Sequence, residues 1–316
     1  MAFGFESTAD EVLRGIDLHG KFAVVTGGTT GLGLETCRAL VSADASVLCT
    51  ARDNGRGTTA VAHIRELYPD ADINYALLEL DDLTSVRRFA ENLLRTCDRV
   101  DILINNAGIM GTPFARTKDG FERQFGTNHL GHFVLTTLLM PALVKAAPSR
   151  VICLSSAGHH WGGMLWDDPN FEQRDYDKWL AYGQSKTANA LFAMELDRRF
   201  AMKDVHAFAV HPGAIHTDLA RHFEEYDRAA IANTMRQAGV AIRRKSLSQG
   251  AATTLWSATA AELVDHGGAY LEDCQVAEPK EAGLFAGRAP WLDDPEGAAR
   301  LWTMSERMAG EKIGIA

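Results

Sequence analysis

Tyr182 and Lys186 stand four residues apart in Tyr182-Gly183-Gln184-Ser185-Lys186. On a helix spanning 181–200 both project from one face. A tyrosine with a pKa of about 10 exchanges protons poorly near neutrality. Bringing it near 7 takes about 4 kcal/mol. A cation roughly 4–5 Å away supplies about that much at an effective dielectric near 20. The lysine suffices in magnitude, and no metal is required.

A second group of residues suits a phosphate. Thr26-Gly27-Gly28-Thr29-Thr30-Gly31-Leu32-Gly33 follows the first apolar run and opens the first helical stretch. Glycines at 27, 31 and 33 permit a tight turn and close backbone approach to a ligand. The helix start offers free N–H groups and a positive dipole end. Between a strand and a helix, such a loop fits a dinucleotide pyrophosphate. The second apolar run ends Cys49-Thr50-Ala51-Arg52-Asp53. A site for NAD usually holds a carboxylate there, for the ribose 2′-OH. Here Ala51 is followed by Arg52, whose guanidinium suits a 2′-phosphate. NADP(H) is therefore favoured and NAD(H) remains possible, since Asp53 would either repel that phosphate or pair with an arginine. A solvated charge at a helix entry is the bland alternative for Arg52.

These groups need a frame. Candidate strands cover 22–26, 46–51, 73–80, 101–106, 150–156, 205–211 and 268–272, separated by stretches with helical apolar spacing such as 33–41 and 85–94. Alternation of this kind, with near-continuous apolar strands, implies a parallel sheet covered on both faces. The 316 residues carry 46% hydrophobic and 23% charged side chains, which is ordinary globular composition. One domain is the economical reading of 1–316. Its core spans about 20–275, with an arm at 1–20, a loop at 157–180 and an extension at 276–316 that ends in a short helix around 298–308. The net charge of −9 makes duplex nucleic acid an unsuitable partner. Cys37, Cys49, Cys97, Cys153 and Cys274 are odd in number and widely spaced, and read as reduced thiols of a cytoplasmic protein. The charged arm is neither a signal peptide nor a membrane anchor, and the apolar stretch 133–144 is too short to span a bilayer.

Taken together, the chain resembles the short-chain dehydrogenase/reductase family. The matching pieces are Thr26-Gly27-x3-Gly31-x-Gly33, Asn105-Asn106-Ala107-Gly108, Asn128, Ser155-Ser156, Tyr182-x3-Lys186 and His211-Pro212-Gly213, in the family's order. Within it, Thr50-Ala51-Arg52-Asp53, Thr127-Asn128-His129-Leu130-Gly131-His132-Phe133 and Ser155-Ser156-Ala157-Gly158-His159 resemble the retinol dehydrogenase-like branch, which includes WW-domain oxidoreductases and protochlorophyllide reductases. The resemblance implies a Rossmann-type, doubly wound, mainly parallel seven-stranded sheet with helices on both faces. It implies that Tyr182 is the general acid or base. Lys186 binds the nicotinamide ribose and lowers the tyrosine pKa. Ser156 bonds the substrate oxygen, with Ser155 structural, although two adjacent serines leave that assignment open. Asn128 holds a water in a proton relay. Gly27, Thr29, Thr30, Gly31, Leu32, Gly33, Leu80, Asn106, Ala107, Gly108, Pro212, Gly213, Ile215 and Thr217 border the cofactor. Glu79 stands where the family usually places an aspartate that contacts adenine.

The loop 157–180 carries Trp161, Met164, Leu165, Trp166, Phe171 and Trp179. These side chains either line an apolar pocket or pack the loop on the core. By resemblance, 217–246 forms a substrate lid with Leu219, Phe223, Ile231, Met235, Val240 and Ile242. His159 contacts substrate, or else caps or packs. His159, His160, His206, His211 and His216 form no metal-ligand pattern, so no metal is expected. Phe133, Leu138, Leu139 and Met140 read as a buried helix face. The family often pairs that helix and the Tyr182 helix across a dimer, so a homo-oligomer is expected. The leading function is hydride transfer between an apolar alcohol and its ketone or aldehyde with a nicotinamide cofactor. The alternatives are a C=C reductase of the protochlorophyllide-reductase type and a non-catalytic NADP-sensing protein.

Overall fold

The computed structural model describes residues 3–217, 219, 223–237, 239 and 243–310. Asp218, Val240 and Ile242 of the anticipated lid lie outside these.

The strands are β1 (Phe22–Val25), β2 (Ser46–Ala51), β3 (Ile73–Leu77), β4 (Ile102–Asn105), β5 (Ser149–Leu154), β6 (Val205–His211), β7 (Ala214–Ile215), β8 (Arg244–Lys245), β9 (Tyr270–Glu272) and β10 (Gln275–Val276). Eight of them form one sheet in the order β10-β9-β6-β5-β4-β1-β2-β3, while β7 and β8 pair separately. The seven expected strands run parallel. Two-residue β10 adds an antiparallel edge, which makes eight. Strand β3 ends at Leu77, three residues earlier than the apolar pattern suggests.

The helices are α1 (Ala9–Val12), α2 (Gly31–Ser42), α3 (Asn54–Leu67), α4 (Leu83–Thr96), α5 (Arg123–Phe125), α6 (Gly131–Ala146), α7 (Lys178–Phe200), α8 (Glu225–Gln237), α9 (Leu247–Thr259) and α10 (Pro295–Ala309). Apolar residues on both sides of each central strand need cover on both sides. On one face Val25 and Ile104 pack with Cys37, Leu40, Ile64 and Leu255 from α2, α3 and α9. On the other, Val24 and Leu103 pack with Val86, Phe133 and Phe192 from α4, α6 and α7. Each such side chain contributes roughly 1.5–3 kcal/mol by leaving water.

A five-residue π turn, Gly126–Leu130, joins α5 to α6. The resulting helix Arg123–Ala146 has 24 residues and is long and apolar enough to cross a bilayer by length and composition. This corrects the sequence reading, which took only 133–144. Here the helix is a core element, with 78% of its most apolar window buried inside the protein. Helix α10 covers the outer side of α6 and α7. Trp302 is 1% exposed and packs edge-on against Phe133 at 5.3 Å, beside Phe192 and Phe200. Phe133, one residue of the anticipated buried helix face, is thus covered by the chain's own extension.

Candidate active site

Within the sheet the chain runs from β1 outward to β3 and returns to β4 on the other side of β1. Loops diverge at that switch point and leave a crevice at the carboxyl ends of the strands. A cleft of about 340 Å³ lies there. It adjoins a cavity of about 620 Å³, and Leu32, Asn106, Gly108 and Thr217 line both.

The glycine loop forms the floor of the cleft. Gly27 and Gly31 sit at φ +64° and +55°, where side chains strain the backbone. A Cβ on Gly33 would stand 2.2 Å from the Gly27 carbonyl oxygen. Thr30 caps α2 without a side-chain hydrogen bond, so the helix's first N–H groups are open to an anion. Thr29, Thr30, Leu32, Leu80, Ala107 and Arg52 complete the wall. Asp53 caps α3 by accepting from the Arg56 N–H at 2.9 Å, and its other oxygen lies 3.5 Å from the Arg56 guanidinium. That carboxylate is engaged, and Arg52 has no carboxylate partner among the described residues. A cradle that side chains would fill, open helix N–H groups and a free guanidinium together fit a dinucleotide.

Glu79 does not join this wall. Its carboxylate pairs with Lys118 at 3.1 Å and its backbone N–H donates to Ser85. The expected adenine contact is corrected to a surface ion pair, and Leu78 and Leu80 face the cleft instead.

Thr26 is the hinge pin between loop and strand ends, a role the sequence reading missed. Its hydroxyl accepts from the backbone N–H groups of Asn106 and Ala107 at 2.9 and 3.0 Å. His132 touches it at 2.9 Å through Nε2. The other nitrogen of that ring, Nδ1, meets the carbonyl oxygen of Asn128 at 2.9 Å. A carbonyl only accepts, so Nδ1 carries the proton and the Thr26 hydroxyl donates to Nε2. Burial holds the ring's pKa down at about 4, which keeps it neutral.

Helix α7 carries Tyr182 and Lys186 to the carboxyl end of β5. Lys186 donates its Nζ proton to the Leu154 carbonyl at 2.9 Å, and Ser155 Oγ donates to the Lys186 carbonyl at 2.8 Å. Ser155 is therefore the strut. Ser156 caps the short turn Ala157–Trp161, accepts from the Gly158 N–H at 3.0 Å and lines the cavity with Tyr182 and Lys186. The Tyr182 ring lies against Gly158, where an added Cβ would come within 2.5 Å of it. Asn128 accepts from the Ile109 N–H at 2.9 Å and donates to Ser185 Oγ at 2.9 Å, tying the π turn to α7. Its side-chain oxygen also stands next to Gly108.

Burial pushes the Tyr182 phenol up to about 12, opposed by its hydrogen bond with Ser156. Burial also pushes Lys186 down to about 8. This departs from the expected phenol near 7. The ammonium is 5.7 Å from the ring centroid and bonded elsewhere, and desolvation of the phenol outweighs it.

His159 is also corrected. It is fully buried. Its Nδ1 faces the Ser156 carbonyl at 2.7 Å and the Tyr270 hydroxyl at 3.1 Å, while Nε2 accepts from the Ala289 N–H at 3.1 Å. Both nitrogens are spent on holding the extension against the serine loop, and no ring atom remains for substrate.

Pro212, Gly213, Ile215 and Thr217 line the larger cavity. The loop aromatics divide between the two readings. Trp161 lines the cavity. Trp166 stacks with Arg300 of α10 at 4.5 Å, and Phe171 packs on Tyr176. Trp179 stands behind Trp161 and against Phe223. Phe5, from the arm, and Phe285, from the extension, also line the cavity. No local pattern marks either residue.

The profile of the short chain dehydrogenase family matches residues 21–228. The chain belongs to the short-chain dehydrogenase family. It is 39% identical over 318 aligned residues to the short-chain dehydrogenase/reductase prx1 of Penicillium roqueforti, covering 95% of this chain and 89% of that one. It is 39% identical to retinol dehydrogenase 13 of Homo sapiens, covering 93% and 86%. Among solved structures, a protein from Mycobacterium paratuberculosis superposes with a TM-score of 0.74 at 35% identity, over 98% of this chain and all of that one. The RhlG/NADP active-site complex of Pseudomonas aeruginosa, at 23% identity and a TM-score of 0.63 over 85% of this chain and 98% of that one, shares the fold. The chain is thus an oxidoreductase of the short-chain dehydrogenase type, with retinol dehydrogenases among its relatives.

Proposed function

We propose that this dehydrogenase interconverts an apolar alcohol and its ketone or aldehyde and prefers NADP(H). One observation carries the reading: Tyr182, Ser156 and Lys186 line a single cavity that adjoins the glycine-loop cleft. When bound, the nicotinamide supplies the two-electron exchange with the substrate carbon. The protein's own residues hold and protonate. The open N–H groups of α2 and the loop backbone bind the pyrophosphate, and Arg52 binds the 2′-phosphate. Ser156 holds the substrate oxygen beside the Tyr182 hydroxyl. In the reducing direction Tyr182 gives its proton to that oxygen; in the oxidising direction its phenolate takes the proton. The names of the relatives, which include retinol dehydrogenases and a complex with NADP, support both the alcohol chemistry and the cofactor.

The test is a set of initial rates with NADP(H) and NAD(H) over diverse apolar alcohols and ketones, on the wild type and on Tyr182→Phe. Tyrosine-dependent turnover with NADP(H) preferred is the expected result. Dinucleotide binding without any tyrosine-dependent turnover overturns the reading.

A further inference from the structure

The cavity beside Tyr182 has an apolar wall formed by Met110, Trp161, Phe223, Ile231, Met235 and Phe285. It also has charged groups that an uncharged substrate would leave unused. On α8, Arg228, Ile231, Ala232 and Met235 all face the cavity. Their spacing of three, four and seven residues is one helix stripe, so Arg228 belongs to the wall by position. Arg244 reaches the same cavity from β8, which pairs with Ala214 just beyond the Pro212-Gly213 turn.

The remaining charges on this wall are accounted for. Asp273 is bound by Lys245 at 2.6 Å. Glu272 accepts from the Gly287 N–H at 2.8 Å. Arg243 pairs with Glu6 at 2.6 Å and lies over Phe5 at 3.9 Å. Among the described residues Arg228 meets only the Phe223 ring, 5.7 Å away, and Arg244 has no acidic partner. The 2′-phosphate of the cofactor does not explain this pair, because Arg52 lies on the glycine-loop cleft, whose lining includes neither Arg228 nor Arg244.

We infer that the substrate is an amphipathic anion, an apolar body with a carboxylate or similar acidic group remote from the reacting carbon, and that Arg228 and Arg244 bind the acidic end. This rests on the alcohol–carbonyl reading of the cavity and adds the substrate's charge. Guanidinium groups form paired hydrogen bonds with carboxylates. Both arginines are exposed, so the gain is modest and screened by salt.

Decanoate and methyl decanoate share one chain and differ in charge. Their binding to the full-length protein is to be measured by calorimetry, at low and high ionic strength, for the wild type and for Arg228→Gln/Arg244→Gln. Decanoate should bind about tenfold more tightly than the ester. Salt should shrink the ratio, and the double variant should bring it to about one. Equal binding of acid and ester by the wild type overturns the inference. So does a preference that survives the double variant or high salt, or failure of both ligands to bind. A parallel assay follows oxidation of ω-hydroxydecanoate by the wild type and Tyr182→Phe. A retained binding preference without tyrosine-dependent turnover would sink the alcohol–carbonyl reading and leave the anion site standing.

Discussion

In the proposed reaction Tyr182 starts as a phenol. Its pKa of about 12 leaves it protonated at neutral pH, ready to donate. Oxidation needs the scarce phenolate, so its rate should climb by up to about tenfold per pH unit between about pH 6 and 8, where Lys186 still carries charge. Reduction should stay nearly flat over that range; kcat profiles in both directions check this. Replacing Tyr182 with Phe should lower kcat by roughly 10²–10⁴-fold and leave dinucleotide affinity unchanged. Arg52→Ala should weaken NADPH about tenfold and NADH little, read as dissociation constants. The Tyr–Lys spacing and the glycine loop were legible because residue type and local spacing carry the chemistry. Glu79 and His159 were not. Their partners, Lys118 for one and Tyr270 and Ala289 for the other, lie 39 to 130 residues away in sequence.

At the scale of elements, Gly33→Ala should abolish dinucleotide binding, because its methyl group would collide with the Gly27 carbonyl; equilibrium titration with NADPH reads the loss. The seven parallel strands were legible as apolar runs between helical stretches. Strand β10 was not, since two residues make no pattern. The π turn was also hidden, because only its neighbours tie Asn128 to Ile109 and Ser185. Helix α10 was anticipated, but not its burial against α6 and α7. Truncating its anchor, Trp302→Ala, should cost about 3–5 kcal/mol of stability, seen as a lower denaturation midpoint with the catalytic residues untouched.

For the whole molecule, three fully buried histidines set an acid limit. Burial lowers His129, His132 and His159 from an ordinary 6.5 to about 3, 4 and 3. The unfolded chain takes up these protons as pH falls through 6.5, and the folded chain cannot until far lower. Their stabilisation is therefore complete above about pH 6.5 and is lost as pH falls toward 4. Each adds a slope of up to about 1.4 kcal/mol per pH unit in that window. The Tm should thus be lower at pH 5 than at pH 7.5; a flat or rising Tm would contradict the three neutral rings.

Phe5 and Phe285, 280 positions apart, meet across one chamber. Shrinking either ring should therefore retune which molecules are accepted, while the glycine-loop cleft, whose lining includes neither, carries on as before.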